Sequence, residues 1–140
     1  MLAFVLLAVL LPLKTPSFAA EIVSSDDAAA IRSVIEQQIA AFGRDDGVAA
    51  FSFASPNIRT LFGSPEDFMS MVKAGYQAVY RPQQMTFKDI RSRGGQVVQG
   101  LMVLGPDGFQ ALVLYYMEHQ PAGDWRIDGV QLYPLPDQAT

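Results

Sequence analysis

Between Gln96 and Leu132 the chain carries three strand-like runs, QVVQGLMVLG, FQALVLYYMEHQ and DWRIDGVQLYPL, rich in Val, Leu, Tyr and Trp. Pro106-Asp107-Gly108 and Pro121-Ala122-Gly123-Asp124 separate them. Proline presets a turn backbone and glycine accepts the positive φ of a tight turn, so the runs read as consecutive antiparallel strands. The middle run constrains the fold most. Side chains alternate between faces along a strand, which puts Phe109, Ala111, Val113, Tyr115, Met117 and His119 on one face and Gln110, Leu112, Leu114, Tyr116 and Glu118 on the other. Both sets are largely apolar, whereas a sheet with one solvated face alternates apolar with polar. The meander therefore needs helices on one face and a connector, a folded-over sheet edge, a ligand or a second subunit on the other. Gly100 and Gly129, inside the runs, mark bulges or bends.

The upstream half supplies the helices. Ser24, Ser25, Asp26 and Asp27 offer caps and acidic first-turn residues, and Ile31, Val34, Ile35, Gln38, Ile39 and Phe42 then recur at helical spacing. Gly43 is a helix stop, and Asp45 or Asp46 caps a shorter helix carrying Val48, Phe51 and Phe53, which Pro56 ends. Asn57 to Gly63 is expected as an apolar linker lying across the core. Ser64-Pro65-Glu66-Asp67 opens a third helix with Ser64 as N-cap and Pro65 at the first helical position; Phe68, Met71 and Val72 form its inner face and Gly75 closes it. Gly75 to Pro82 connects to a strand over Gln84 to Arg93, and Gly94-Gly95 turns it into the meander. The expected fold is α+β: three N-terminal helices on a curved four-stranded antiparallel meander.

A chain of 140 residues, half of them apolar, suits one domain with a full core. With no cysteine and a single histidine, thiolate chemistry, disulfides and multi-histidine metal sites are excluded within one chain, and neither a metal nor a cofactor is expected. A net charge of −4 argues against nucleic acid as the main partner, because that affinity rests on clustered Lys and Arg. Lys88, Arg91 and Arg93 are read as the solvated edge of the first strand, where charge discourages edge-to-edge pairing.

Helix-rich first half, curved meander and a last strand announced by GDWRIDGVQL together resemble the nuclear transport factor 2-like, or cystatin-like, α+β cone. More narrowly, the Asp45-Asp46-Gly47 turn, the Phe62-Gly63-Ser64-Pro65-Glu66 helix start, Gly75-Tyr76 and Tyr80-Arg81-Pro82 are similar to an uncharacterised family of secreted bacterial proteins known as a domain of unknown function. That resemblance implies no catalytic residue. The wider fold hosts isomerases, cyclases, dehydratases and pure binding modules, and a fold does not choose among them.

Candidate site residues come from the side chains themselves. Tyr76, Tyr80 and Tyr115 join apolar area to a hydroxyl, as the lining of a small-molecule pocket requires, and Arg81 is a candidate anion binder, a cap for a backbone carbonyl or a partner for Asp67. Tyr116 points to the face opposite Tyr115. Asp128 and Asp89 are strand carboxylates of the kind that serve as a general base when held in an apolar cavity, and His119 titrates nearest neutrality. Core packing, cross-strand pairing with Arg91, Arg93 or Arg126, and strand-end exposure are the respective non-functional readings. The functional expectation is a small exported domain that binds a small-molecule ligand or a protein partner, including a second copy of itself, without catalysis. The alternative is a cofactor-independent isomerase, cyclase or hydrolase with an aspartate base.

The N-terminus, MLAFVLLAVLLPLKTPSFAAE, has an apolar run from Leu2 to Leu11, a break at Pro12 and small residues after it. It reads as a signal peptide over residues 1–19, with cleavage after Ala20 the second choice, and a single domain over 20–140. Periplasmic or secreted location follows, with no stable membrane span after cleavage; an uncleaved anchor, favoured by Lys14 behind the run, is the alternative. Mass spectrometry of the protein recovered from its native compartment is expected to give Ala20 as the first residue. An intact Met1 there would overturn the cleavage.

Overall fold

A computed structural model describes residues 22–136. The segment read above as a signal peptide and the chain end lie outside them. The first helix, α1 (Ser25–Gly43), starts where Ser24 is extended and its Oγ accepts a hydrogen bond from the Asp27 N–H at 3.1 Å. Asp26 and Asp27 place negative charge against the positive end of the helix dipole. Ile31, Ile35, Gln38, Ile39 and Phe42 bury one stripe of α1, as their spacing requires. Asp46 caps α2 (Gly47–Ser52) by accepting from the Ala49 N–H at 3.1 Å.

Between α2 and the next expected helix the structure departs from the sequence reading. Pro56 begins a helix, α3 (Pro56–Phe62), with Ser55 as N-cap and Gly63 closing it at φ 78. Ser55-Pro56 is the same start signal as Ser64-Pro65: a hydroxyl satisfies a free N–H, and proline sits where its missing N–H has no partner to lose. The apolar linker is thus a helix, although Ile58 and Phe62 do pack on the core as expected. Ser64 and Pro65 then open α4 (Pro65–Gly75), and a single turn, α5 (Gln77–Tyr80), occupies the connector. Among the described residues five helices stand where three were expected. None of those described is long and apolar enough to cross a membrane.

The sheet runs in sequence order through β1 (Gln84–Arg93), β2 (Gln96–Leu104), β3 (Gln110–His119) and β4 (Trp125–Pro134), every pair antiparallel. The chain is α+β, with its helices preceding a four-stranded antiparallel open sheet. Both strand glycines sit at irregularities. Gly100 faces Lys88 and Asp89, two residues against one, and Gly129 lies where Asp128 is the extra residue opposite the step from Tyr116 to Met117. A Cβ on Gly100 would lie 3.4 Å from the Asp89 carbonyl oxygen, so the close approach favours glycine. The buried Gln99 amide holds this bulge by donating to the carbonyls of Lys88 at 2.9 Å and Gly100 at 2.7 Å.

The inner face of the sheet carries Val97, Leu101, Val103, Ala111, Val113, Tyr115 and Met117, all buried against the helices. A Val, Leu or Met side chain contributes about 1.5–3 kcal/mol when fully removed from water, so this layer is a major part of the core. The outer face holds Val98, Met102, Leu112, Leu114 and Tyr116, half-buried by one another and outside the core cluster. No described element lies over it.

A polar latch joins the helical layer near the end of α1. Arg81 donates from Nη1 to the Phe42 carbonyl at 2.5 Å and from Nη2 to Asp45 Oδ2 at 3.0 Å, and its guanidinium lies 4.0 Å from the Tyr80 ring centre. Tyr80 donates its hydroxyl to the other Asp45 oxygen. Asp45 itself has φ 53, a left-handed conformation that aspartate tolerates better than most residues. The expected Arg81–Asp67 pair is therefore replaced by Arg81–Asp45: the C-terminal carbonyls of α1 attract the cation, and Asp67 is at the far end of α4.

The Tyr80 hydrogen bond is the largest influence on Asp45 and lowers its pKa; desolvation opposes it, while Arg81 and then Lys73 add to the lowering. A carboxyl with a depressed folded pKa adds stability that is present above its unfolded pKa and is lost as pH falls through the folded value. Asp45→Asn is accordingly expected to lower the unfolding midpoint at pH 7 and to approach wild type as pH drops below about 4, near the unfolded carboxylate pKa. Chemical denaturation across that range tests it; an offset that does not change with pH would contradict the latch.

Candidate functional site

Helices and sheet enclose an open pocket of about 310 Å³ above the inner face of β3 and β4. Gln38 and Phe42 of α1 form one wall, where the apolar stripe turns toward the sheet. Ile58, Leu61 and Phe62 of α3 form the opposite wall, with Phe68, Met71 and Val72 of α4 behind them. Tyr76 and Val79 close the end nearest α5, and Tyr115, Ile127, Gly129 and Val130 make the floor. Every lining residue is uncharged.

The α3 wall is tied to the sheet at Ser55. Its N–H donates to the Ile127 carbonyl at 2.8 Å, and the Ile127 N–H donates to the Phe53 carbonyl at 2.8 Å, giving a short parallel bridge on the free edge of β4. The Ser55 hydroxyl donates to Asp128 Oδ1 at 2.6 Å and accepts from the Ile58 N–H at 3.3 Å. Asp128 thus anchors the start of α3 from the extra position of the β4 bulge. Leu61, 73% exposed, stands at the pocket mouth.

Three polar side chains reach the lining. Tyr115 is fully buried in the middle of β3, opposite Gln99 on one side and Val130 on the other. Among the described residues its hydroxyl has no hydrogen-bond partner. Burial pushes its pKa up, so it stays a protonated donor. Tyr76 is half-buried and its hydroxyl makes only a long contact, 3.4 Å, to the Val130 carbonyl. Gln38 is buried and donates from Nε2 to the Ala50 carbonyl at 3.1 Å.

Of the candidates drawn from the sequence, the pocket brings together Tyr76 and Tyr115. Tyr80 and Arg81 belong to the latch. Asp128 is outside the lining, engaged by Ser55. Asp89 is exposed at the β1 bulge and meets Arg91 at 3.4 Å. His119 is exposed at the end of β3, stacks on Trp125 with ring centres 4.5 Å apart, and places Nε2 3.0 Å from the Gly123 carbonyl oxygen. Among the described residues no group of three His, Asp or Glu side chains could hold a metal ion. Gln38 and the α3 wall are among the lining residues that sequence reasoning did not place at a site. A glutamine inside an otherwise apolar stripe was the available signal for the first, and the Ser55-Pro56 start for the second.

A family model spans residues 24–140, which contain every helix and strand described above. The chain belongs to the family described as Domain of unknown function (DUF4864). No curated protein matches it. In this DUF4864 chain the pocket is formed wholly within the matched span.

A buried hydroxyl without a partner costs free energy, and removing it is neutral or stabilising. Tyr115→Phe is therefore expected to leave stability unchanged or to raise it by about 1 kcal/mol. Thermal and denaturant unfolding measure this; a loss of more than about 1 kcal/mol would reveal a structural role for the hydroxyl.

Proposed function

We propose that this DUF4864 chain is an exported, non-catalytic domain that binds a small apolar ligand between its helices and the inner face of its sheet. The single observation behind the reading is the open pocket of about 310 Å³, whose lining residues are all uncharged and mostly apolar. Its size lies at the lower end of small-molecule sites, and a concave apolar wall with a few polar groups is their usual form. Catalysis by proton transfer needs a titratable group within hydrogen-bond reach of the substrate. Asp128, Asp89 and His119 are absent from the lining, which favours binding over the isomerase, cyclase or hydrolase alternative. Export rests on the N-terminal segment and on the resemblance to secreted proteins.

The outer sheet face supports a second part of the proposal, a homodimer. Val98, Met102, Leu112, Leu114 and Tyr116 form a continuous half-buried surface, and Tyr133 adds an exposed ring at its β4 edge. Pairing with another copy would remove this area from water without a new element of the chain.

The neutral fluorophore N-phenyl-1-naphthylamine is expected to bind the wild-type protein with a fluorescence increase. Val130→Phe, which fills the floor, is expected to weaken that binding at least about tenfold while the circular dichroism stays native. Sedimentation of the same preparations is expected to show a dimer in both. Absence of binding, or binding indifferent to Val130→Phe, overturns the pocket reading; a strict monomer overturns the pairing.

A further inference from the structure

Charges on the outer face of the sheet select how a second copy can sit on it. We infer that the second copy packs there about a two-fold axis running along the strands between β2 and β3, so that the Lys88 side of β1 in each copy covers the Gln131 and Tyr133 side of β4 in the other. This rests on the homodimer reading and adds the partner surface and its orientation.

The composition of the face follows from the strand register, because directly paired residues share a face. Thr86, Met102, Leu112 and Tyr133 form one row across the four strands, and Arg91, Val98, Tyr116 and Gly129 form another. Between them lie Gly100, Leu114 and Gln131. Lys88 joins that middle row, since its Cβ is 3.8 Å from where a Cβ on Gly100 would stand. The face is therefore lopsided. Its centre on β2 and β3 is apolar, its β1 edge carries the cations Lys88 and Arg91, and its β4 edge carries the uncharged Gln131 and Tyr133.

Each edge has what the other lacks. Tyr116 and Tyr133 both donate their hydroxyls to Gln131 Oε1 at 2.7 Å, which holds two aromatic rings in place around one amide. Aromatic rings attract a cation. Lys88 is exposed and has no ion-pair partner among the described residues. Its neighbour Asp89 is engaged by Arg91 at 3.4 Å.

Two sheets that pack face to face with their strands nearly aligned, related by a two-fold axis, have two choices of axis. An axis across the strands stacks β1 on β1 of the other copy and sets Lys88 against Lys88. Like charges facing one another in an interface oppose association. An axis along the strands stacks β1 on β4 instead. Each Lys88 then lies over Gln131 and Tyr133 of the other copy, twice by symmetry, and the two cationic edges stay about 14 Å apart sideways, three strand spacings. The apolar centre is covered at the same time, Met102 against Leu112 and Val98 against Tyr116 of the other copy.

The chain has no cysteine, so introduced thiols report without background. Thr86→Cys is mixed with Tyr133→Cys, and separately with Arg91→Cys, subunits are allowed to exchange, and a short bismaleimide is added. Stacking of β1 on β4 brings the first pair together, and stacking of β1 on β1 brings the second. The first mixture is expected to give at least about fivefold more cross-linked mixed dimer than the second, because only the first pair lies within one sheet-to-sheet spacing. Lys88→Gln poses the same question without altering β4: sedimentation is expected to show a dimer at least about threefold weaker than wild type, since two cation–ring contacts are lost. If the Arg91→Cys mixture links better, if neither mixture links, or if Lys88→Gln dimerises as well as or better than wild type, the orientation is wrong while a wild-type dimer in sedimentation still stands. If the wild type sediments as a strict monomer, the homodimer reading falls and the orientation with it.

Discussion

Burial of the inner face of β3 is the constraint on which the rest of the structure depends. β3 is paired on both sides, so its register is set by β2 and β4 together, and a slip of one residue would exchange its two faces. The chosen register puts Val113 and Tyr115 beneath the helices at zero exposure and leaves Leu112, Leu114 and Tyr116 on the outer side. Ile31, Ile35 and Phe42 of α1 meet the inner face, each worth a few kcal/mol of burial. The exposed ion pairs of Arg44, Arg91 and Arg126 belong to a class worth about 0–1 kcal/mol each, so they refine the fold without determining it.

Where that apolar layer is interrupted, the interruption has an identifiable job. Gln99 spends its amide on the Lys88 and Gly100 carbonyls beside the β1 bulge. Asp128, extruded by the β4 bulge, holds Ser55 and through it the start of α3. These two bulges sit at the strand glycines. The second ties a wall of the pocket to the sheet, since α3 has no fully buried residue and packs on the core only through the partly buried Ile58 and Phe62. Two buried polar atoms on directly paired residues, Gln99 Oε1 and the Tyr115 hydroxyl, have no hydrogen-bond partner among the described residues.

Local signals carried most of the architecture. The strand limits, the glycine turn at Gly94-Gly95, the caps at Ser24, Asp46 and Ser64, and the buried stripe of α1 all depend on residues within one turn or one hairpin of each other. The miss at Pro56 was a misjudged local signal, because proline ends a helix in its interior and begins one at its first position. Arg81 does cap a carbonyl, that of Phe42, but its carboxylate partner was misassigned for a different reason. Its carboxylate partner is 36 residues earlier, on the left-handed Asp45 that closes α1, and no local pattern pairs residues across that separation.

From sequence alone came the α+β class, the meander and its two apolar faces, the exclusion of thiolate and multi-histidine chemistry, and a short set of tyrosines and carboxylates to consider. Alternation and helical spacing are properties of neighbouring residues, and they survive in one dimension. Only the tertiary structure separated that set, placing Tyr115 and Tyr76 on one pocket, Tyr80 and Arg81 in a latch, Asp128 under a helix start, and Asp89 and His119 at the surface. Which side chains share a cavity depends on how far apart in sequence the walls are, here from Gln38 to Val130, and no periodicity reports a contact across that distance.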